Sequence, residues 1–166
     1  IYDKGTNRYL MNLKKIKYYS WVEIGSAFLM TEFAASYLSP QIAKYKKIFL
    51  YRSKLYFKYI NILSKIKKNN FFIPNNYKYQ YNFHALVLIL ENANRENFLK
   101  FLKKNKINAV ISYTPLHRSK FGKIFFNKKK PLINTDKYVK KIVRLPLHDS
   151  LTFSQINYIC NKIENY

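Results

Sequence analysis

The chain has 166 residues, with 31 lysines and arginines against 8 acids and a formal net charge of +23. Its 48% hydrophobic share is enough for a packed core, which excludes a disordered chain. No apolar run reaches bilayer-spanning length, one cysteine excludes an internal disulfide, and the three histidines have no metal-ligand spacing with it or with each other.

Residues 1–29 show no clean period and read as an irregular arm. A helix is predicted from near Thr31, with Phe33, Ala34, Tyr37 and Leu38 on one face, and Pro40 marks a break or the first turn of the next helix. Ile42, Tyr45, Phe49, Tyr56, Tyr59, Leu63 and Ile66 recur at helical spacing, which predicts one long helix from Gln41 to about Ile66. Lys67 to Tyr81 is a polar loop around Pro74.

His84 to Leu90 is a continuous apolar run of strand length. Asn94 can cap a helix whose apolar positions are Phe98, Phe101 and Leu102. Ile107 to Tyr113 is a second strand. Asn134 or Thr135 opens a short helix carrying Tyr138, Val139 and Ile142, and Val143 to Leu147 is a third strand. Thr152 begins the last helix with a capping box to Gln155, and Leu151 and Ile156 stand where a hydrophobic staple closes. Strand and helix thus alternate three times, which predicts a small α/β sandwich with helices on one face of a short sheet, preceded by two helices. The expected divisions are an arm at 1–29, a helical region at 30–68 and a small α/β domain at 82–166. Cys160, among Ile156, Ile159 and Ile163, reads as a small buried apolar residue and fits a reducing, cytoplasmic setting.

A basic balance of this size raises nucleic-acid binding as one function. Lysines interleave with tyrosines at 14–19 and 44–59, as a surface that contacts phosphates and stacks bases would require. The competing account is compositional. Lys, Asn, Ile, Tyr and Phe dominate, the profile left by drift in an AT-rich genome, and lysine is a poorer choice than arginine for forked phosphate recognition.

Three segments could carry chemistry. After the second strand, Pro115 fixes an extended turn, and His117 and Ser119 follow on a loop of the kind where ligand contacts gather. His117 either meets a ligand or packs and hydrogen-bonds within the loop. Arg144 stands beside an apolar strand, where it either meets a charged ligand or satisfies backbone carbonyls. Gly25-Ser26-Ala27 precedes the first helix, where hydroxyls and free amides suit an anion, although a plain turn has the same residues. There is no glycine-rich phosphate loop, no convincing acid pair and no serine hydrolase elbow.

Two of these segments form a recognisable pair. Ser112-Tyr113-Thr114-Pro115-Leu116-His117-Arg118-Ser119-Lys120-Phe121-Gly122 is followed by Arg144-Leu145-Pro146-Leu147-His148, then Leu151-Thr152 and the final helix. Together they resemble the C-terminal signature of the DegT/DnrJ/EryC1/StrS sugar aminotransferases, of pyridoxal-phosphate fold type I. Lys4-Gly5-Thr6-Asn7-Arg8, Trp21-Val22-Glu23-Ile24-Gly25-Ser26, Thr31-Glu32 and Ala34-Ala35 resemble the dTDP-4-amino-4,6-dideoxygalactose transaminase branch. The chain departs from that branch at Ser112, where a histidine is usual, at Ala27, where a polar residue is usual, and at Leu13-Lys14, where an Arg-Gly pair is usual.

The resemblance implies the small C-terminal domain of a pyridoxal 5'-phosphate enzyme. The Schiff-base lysine is then expected upstream of residue 1, so that no catalytic residue lies in this chain and the chain by itself is inactive. Ser26 is implied as a contact to the cofactor phosphate of a neighbouring subunit in a homodimer. Tyr113, His117, Ser119 and Arg144 are implied as substrate contacts. The implied substrates are glutamate and a dTDP-4-keto-6-deoxyhexose, in cytoplasmic nucleotide-sugar and lipopolysaccharide synthesis, with no membrane partner. The loop at 113–122 and the turn at Gly25–Ser26 are expected to be separate and exposed in one subunit and to meet only in the dimer.

Overall fold

A computed structural model describes residues 5–25, 30–67, 70–74, 82–126 and 131–166. The chain divides into two compact units. One comprises Ile1–Ala35 and Tyr113–Val139, the other Ser36–Ser112 and Lys140–Tyr166. The expected arm lies whole in the first unit; the boundaries fall inside the expected helical region and inside the expected α/β domain, whose residues 113–139 group with the arm.

The larger unit is built on a four-stranded sheet: β1 (Phe71–Phe72), β2 (Leu86–Leu90), β3 (Val110–Ile111) and β4 (Ile142–Leu145). The order is β1-β2-β4-β3, and every neighbouring pair is antiparallel. The apolar run Leu86-Val87-Leu88-Ile89-Leu90 makes β2 an inner strand, opposite β4 in the register Leu86 to Leu145 and Leu88 to Val143. Side chains alternate across a strand. Leu86, Leu88, Leu90, Val143 and Leu145 therefore share one face, and all are buried.

That face shares its core with three helices, α3 (Tyr45–Leu63), α4 (Arg95–Lys104) and α7 (Phe153–Glu164). Helix α3 buries Leu55, Tyr56, Tyr59 and Leu63, spaced to fall on one stripe. Helix α4 buries Phe98 and Leu102, one turn apart, and its Asn94 cap accepts a hydrogen bond from the Asn97 amide at 3.1 Å. Helix α7 buries Ile156, Ile159, Cys160 and Ile163. Its capping box forms as expected: the Gln155 amide donates to Thr152 Oγ1, and the Thr152 amide donates to Gln155 Oε1 at 2.8 Å. Each fully buried Leu, Ile or Phe contributes roughly 1.5–3 kcal/mol of burial free energy. Two tyrosines of α3 also satisfy carbonyls: Tyr51 donates to the oxygen of Leu151 at 2.9 Å and Tyr59 to that of Pro146 at 3.2 Å.

Several boundaries depart from expectation for identifiable reasons. Pro40 does not interrupt its helix: α2 runs from Glu32 to Ala43 through it. The break comes at Lys44, whose φ of −93° and ψ of 3° lie outside the helical region. The expected polar loop after Lys67 contains β1, which pairs with Leu90 and Ile89. The rest of that loop, at 68–69 and 75–81, lies outside the described residues. The second strand is shorter than expected because Ile107 still belongs to the end of α4. Its amide donates to the Leu102 carbonyl and the Lys106 amide to that of Lys103, with Lys106 at φ 60°. This is a Schellman closure, carried out with lysine where glycine is usual. The third strand stops at Leu145, because Pro146 has no amide to continue the ladder. Ile142, expected in the preceding helix, is instead its first residue.

The smaller unit contains α1 (Arg8–Asn12), a 3-10 turn (Leu116–Arg118), α5 (Gly122–Phe125) and α6 (Ile133–Tyr138). The arm expected to be irregular is closed by local bonds. Thr6 bridges Trp21, the Asn7 amide donates to Ser20 O at 3.1 Å, and the Val22 amide donates to Gly5 O at 2.8 Å. Gly5 has φ +63°, and a Cβ there would lie 2.2 Å from Glu23 O. The glycine of the Lys4-Gly5-Thr6-Asn7-Arg8 segment is thus required both by conformation and by space. Arg8 lies 4.3 Å over the Tyr19 ring and donates to its hydroxyl. The helix after the arm is capped by Thr31, whose Oγ1 accepts from the Ala34 amide at 3.2 Å.

No helix among the described residues is long and apolar enough to cross a membrane. Within 44–59, Tyr56 and Tyr59 are buried in the core, and Tyr51 is engaged with Leu151. The rings offered there for base stacking are therefore largely committed to packing.

Candidate functional site

The loop from Tyr113 to Gly122 is shaped by three residues. Pro115 is extended at φ −57° and ψ 133° and delivers the chain into the 3-10 turn. Ser119 then closes the turn, its hydroxyl donating to Leu116 O at 2.7 Å and accepting from the Gly122 amide at 2.8 Å. Ser119 is 1% exposed. Its hydroxyl holds the loop together. Gly122 sits against the Leu116 carbonyl, which leaves no room for a side chain.

The arm packs on this loop within the same unit. The Phe121 amide donates to Trp21 O at 3.2 Å, and the indole of Trp21 meets Tyr113 edge-on with ring centres 6.5 Å apart. Tyr113 remains 56% exposed. The loop and the stretch leading to Gly25 are thus joined through Trp21 rather than wholly separate. Ser26 and Ala27 lie outside the described residues.

His117 is the most constrained of the expected site residues. Its Nε2 lies 2.8 Å from Asp136 Oδ1 at the middle of α6, its ring centre is 5.1 Å from that of Phe126, and its side chain is 9% exposed. Asp136 also accepts a hydrogen bond from Arg118 Nε. These two cationic or donor partners, Arg118 first and His117 second, pull the Asp136 carboxyl down to about 2, so it is ionised throughout the physiological range. Arg118 is pushed upward by the same pairing. A cavity of about 440 Å³ opens beside the pair. Among the described residues its lining side chains are apolar, with Leu116, Phe125, Phe126 and Leu132 among them, except for His117 and Thr135.

Asp136 and Arg118 are the site residues that sequence reasoning missed. Asp136 lies in a short segment read only as the opening of a helix, 19 positions from His117, and that spacing carries no motif. The signal available was scarcity: it is one of eight acids in a chain of 31 basic residues.

Arg144 belongs to the other unit. Its Nη2 donates to the Ile111 carbonyl at 3.1 Å, across the β3–β4 pair that sets Arg144 opposite Val110. This arrangement supports the backbone-satisfying role among its two sequence readings. His148 is exposed at the entry to α7 and pairs with Ser150 Oγ at 2.9 Å. Among the described residues, no three His, Cys, Asp or Glu side chains gather as a metal site would require.

The model of the DegT/DnrJ/EryC1/StrS aminotransferase family matches residues 4–164. This chain belongs to that family. Solved relatives share its fold. The aminotransferase TlmJ from Streptoalloteichus hindustanus superposes with a TM-score of 0.71 at 16% identity, covering 98% of this chain and 42% of that one. DesV of S. venezuelae, solved with a ketimine intermediate, gives 0.73 at 18% identity, covering 88% and 39%. PseC from Helicobacter pylori, an aminotransferase of pseudoaminic acid biosynthesis, gives 0.70 at 20%, covering 86% and 39%. The chain thus spans about two fifths of the length of these aminotransferases. The four-stranded antiparallel sheet with its helices matches part of a fold type I aminotransferase.

Proposed function

We propose that this chain is the C-terminal part of a pyridoxal 5'-phosphate-dependent sugar aminotransferase. The enzyme transfers an amino group from glutamate to C4 of a dTDP-4-keto-6-deoxyhexose, in nucleotide-sugar and surface-polysaccharide synthesis. It works in the cytoplasm as a homodimer. The observation that carries the reading is the family match over residues 4–164, joined to a fold that covers nearly all of this chain but two fifths of TlmJ.

The cofactor, when bound, supplies the electron sink that the amino transfer needs. On this reading its covalent seat lies outside the residues described here. A lysine that holds the cofactor must be desolvated and cradled, and every described lysine is exposed or half-buried. We therefore assign that lysine to sequence outside these residues, and no chemical step is routed through the cofactor. Ser26 is proposed as a contact to the partner's cofactor phosphate. Tyr113 and His117 are proposed to face the sugar-nucleotide: the first offers an exposed phenol beside Trp21, the second a ring nitrogen at an apolar cavity. Arg144 acts on this reading by holding the β3 backbone from which the Tyr113 loop departs.

Two measurements test the proposal. The complete enzyme, given pyridoxal phosphate, glutamate and a dTDP-4-keto-6-deoxyhexose, should form the 4-amino sugar, detected by mass spectrometry; no product from any such sugar would overturn the activity. The 166-residue chain, treated with pyridoxal phosphate and borohydride, should show only scattered, substoichiometric lysine labelling. Stoichiometric labelling of one lysine would overturn the assignment of the covalent seat.

A further inference from the structure

We propose that Asp136 is the positioning residue for His117, fixing the imidazole through Nε2 so that Nδ1 is the nitrogen presented to an incoming hydroxyl. The inference rests on the aminotransferase reading only for the identity of that hydroxyl's owner, the amino acceptor. The orientation itself rests on the geometry.

A histidine that lines a cavity can present either nitrogen, and the partner of one decides the role of the other. Here Nε2 is engaged at 2.8 Å by a carboxylate, which only accepts, so Nε2 carries the proton. Among the described residues Nδ1 has no hydrogen-bond partner. In the neutral ring it is an acceptor. Phe126 packs against the ring, and Arg118 donates to the same carboxylate oxygen, so the imidazole and the acid each have a second contact. His117 lines the cavity, which among the described residues is otherwise apolar apart from Thr135, so an acceptor facing it meets little competition from their side chains. The arrangement suits a partly deoxygenated, amphipathic ring: an apolar wall for its C–H face and one acceptor for a hydroxyl.

The first test uses the complete enzyme without substrate and is independent of the reaction. Proton–nitrogen correlation of the histidine rings should show a protected Hε2 on His117 with Nδ1 in its acceptor form. Asp136→Ala should lose the Hε2 signal to solvent exchange, and Asp136→Asn, which keeps an oxygen in place, should retain more of it. A His117 signal absent from the wild type, or unchanged by Asp136→Ala, would overturn the positioning role. Unchanged dispersion of the remaining amides shows that the variant folds. The second test uses the complete enzyme. Asp136→Ala should lower kcat/KM for the sugar-nucleotide by roughly ten- to a hundredfold, the cost of a misplaced contact, and leave the glutamate half-reaction within about twofold. Equal loss in both halves would overturn the substrate-side role. A wild-type enzyme that aminates no sugar would overturn the functional reading itself, while the ring-proton measurement decides the orientation separately.

Discussion

A Cβ built on Gly122 would lie 1.8 Å from the carbonyl oxygen of Leu116. The obstacle is backbone, held in turn by Ser119, so it cannot move aside as a side-chain tip could. Gly122→Ala should therefore loosen the 3-10 turn, at a cost of about 1–3 kcal/mol as in other overpacked sites. Amide hydrogen exchange at Gly122 and Ser119 is the measurement. Exchange as slow as in the wild type would mean that the turn relaxes without strain.

The Asp136 ion pairs give a pH dependence of known sign. The folded carboxyl titrates at about 2, below the ordinary 3.8. A depressed acid stabilises the fold above its unfolded value and loses that contribution as pH falls through the folded one. The stability gap between wild type and Asp136→Asn should thus be full at neutral pH, shrink from near pH 4 downward and vanish only below about pH 2. Denaturant titrations across that range check it. A gap that does not change with pH would show that the carboxylate charge plays no part.

Thr152→Ala should lower the stability of the larger unit by about 1 kcal/mol, because it removes one half of the capping box on a helix with four buried residues. Thr152→Ser keeps the hydroxyl and should cost much less. The comparison is made from denaturation midpoints at constant slope.

Cys160 is 1% exposed, and burial pushes its thiol up to about 12. At about pH 8 it presents neither thiolate nor access. The native chain should resist a thiol reagent, with labelling rising only as helical circular dichroism is lost in denaturant. Rapid labelling before that loss would place α7 among the locally opening elements.

What could be read from the sequence divides along physical lines. The core stripe of α3, the run of β2, the Asn94 and Thr152 caps and the burial of Cys160 depend on residues within a few turns of each other, and the structure has all of them. The misplaced features depend on distant partners. Phe71–Phe72 becomes a strand only because Leu90 and Ile89 are there to pair with, and Pro40 stays inside α2 although local rules mark it as a stop. The candidate site splits in the same way. His117 stands out in its motif, but Asp136 gains meaning only when α6 brings it to the imidazole. Ser119 reads the same in sequence whether its hydroxyl faces a ligand or its own turn.

The excursion that carries His117 and Asp136 leaves after Ile111 and returns at Ile142, and the strands at its two ends are adjacent rungs, with Val110 opposite Arg144 and Ile111 opposite Val143. Its ends are therefore fixed by the ladder and not by its own length. Lengthening such a loop costs entropy that grows only slowly with residue number. A change within the excursion can then leave the pairing that anchors it in register, although the contacts of Tyr113 and Phe121 with Trp21 go with the residues replaced. Grafts exchanged between Ile111 and Ile142 should accordingly be tolerated by the sheet, which makes this stretch the natural cassette for laboratory diversification of the chain.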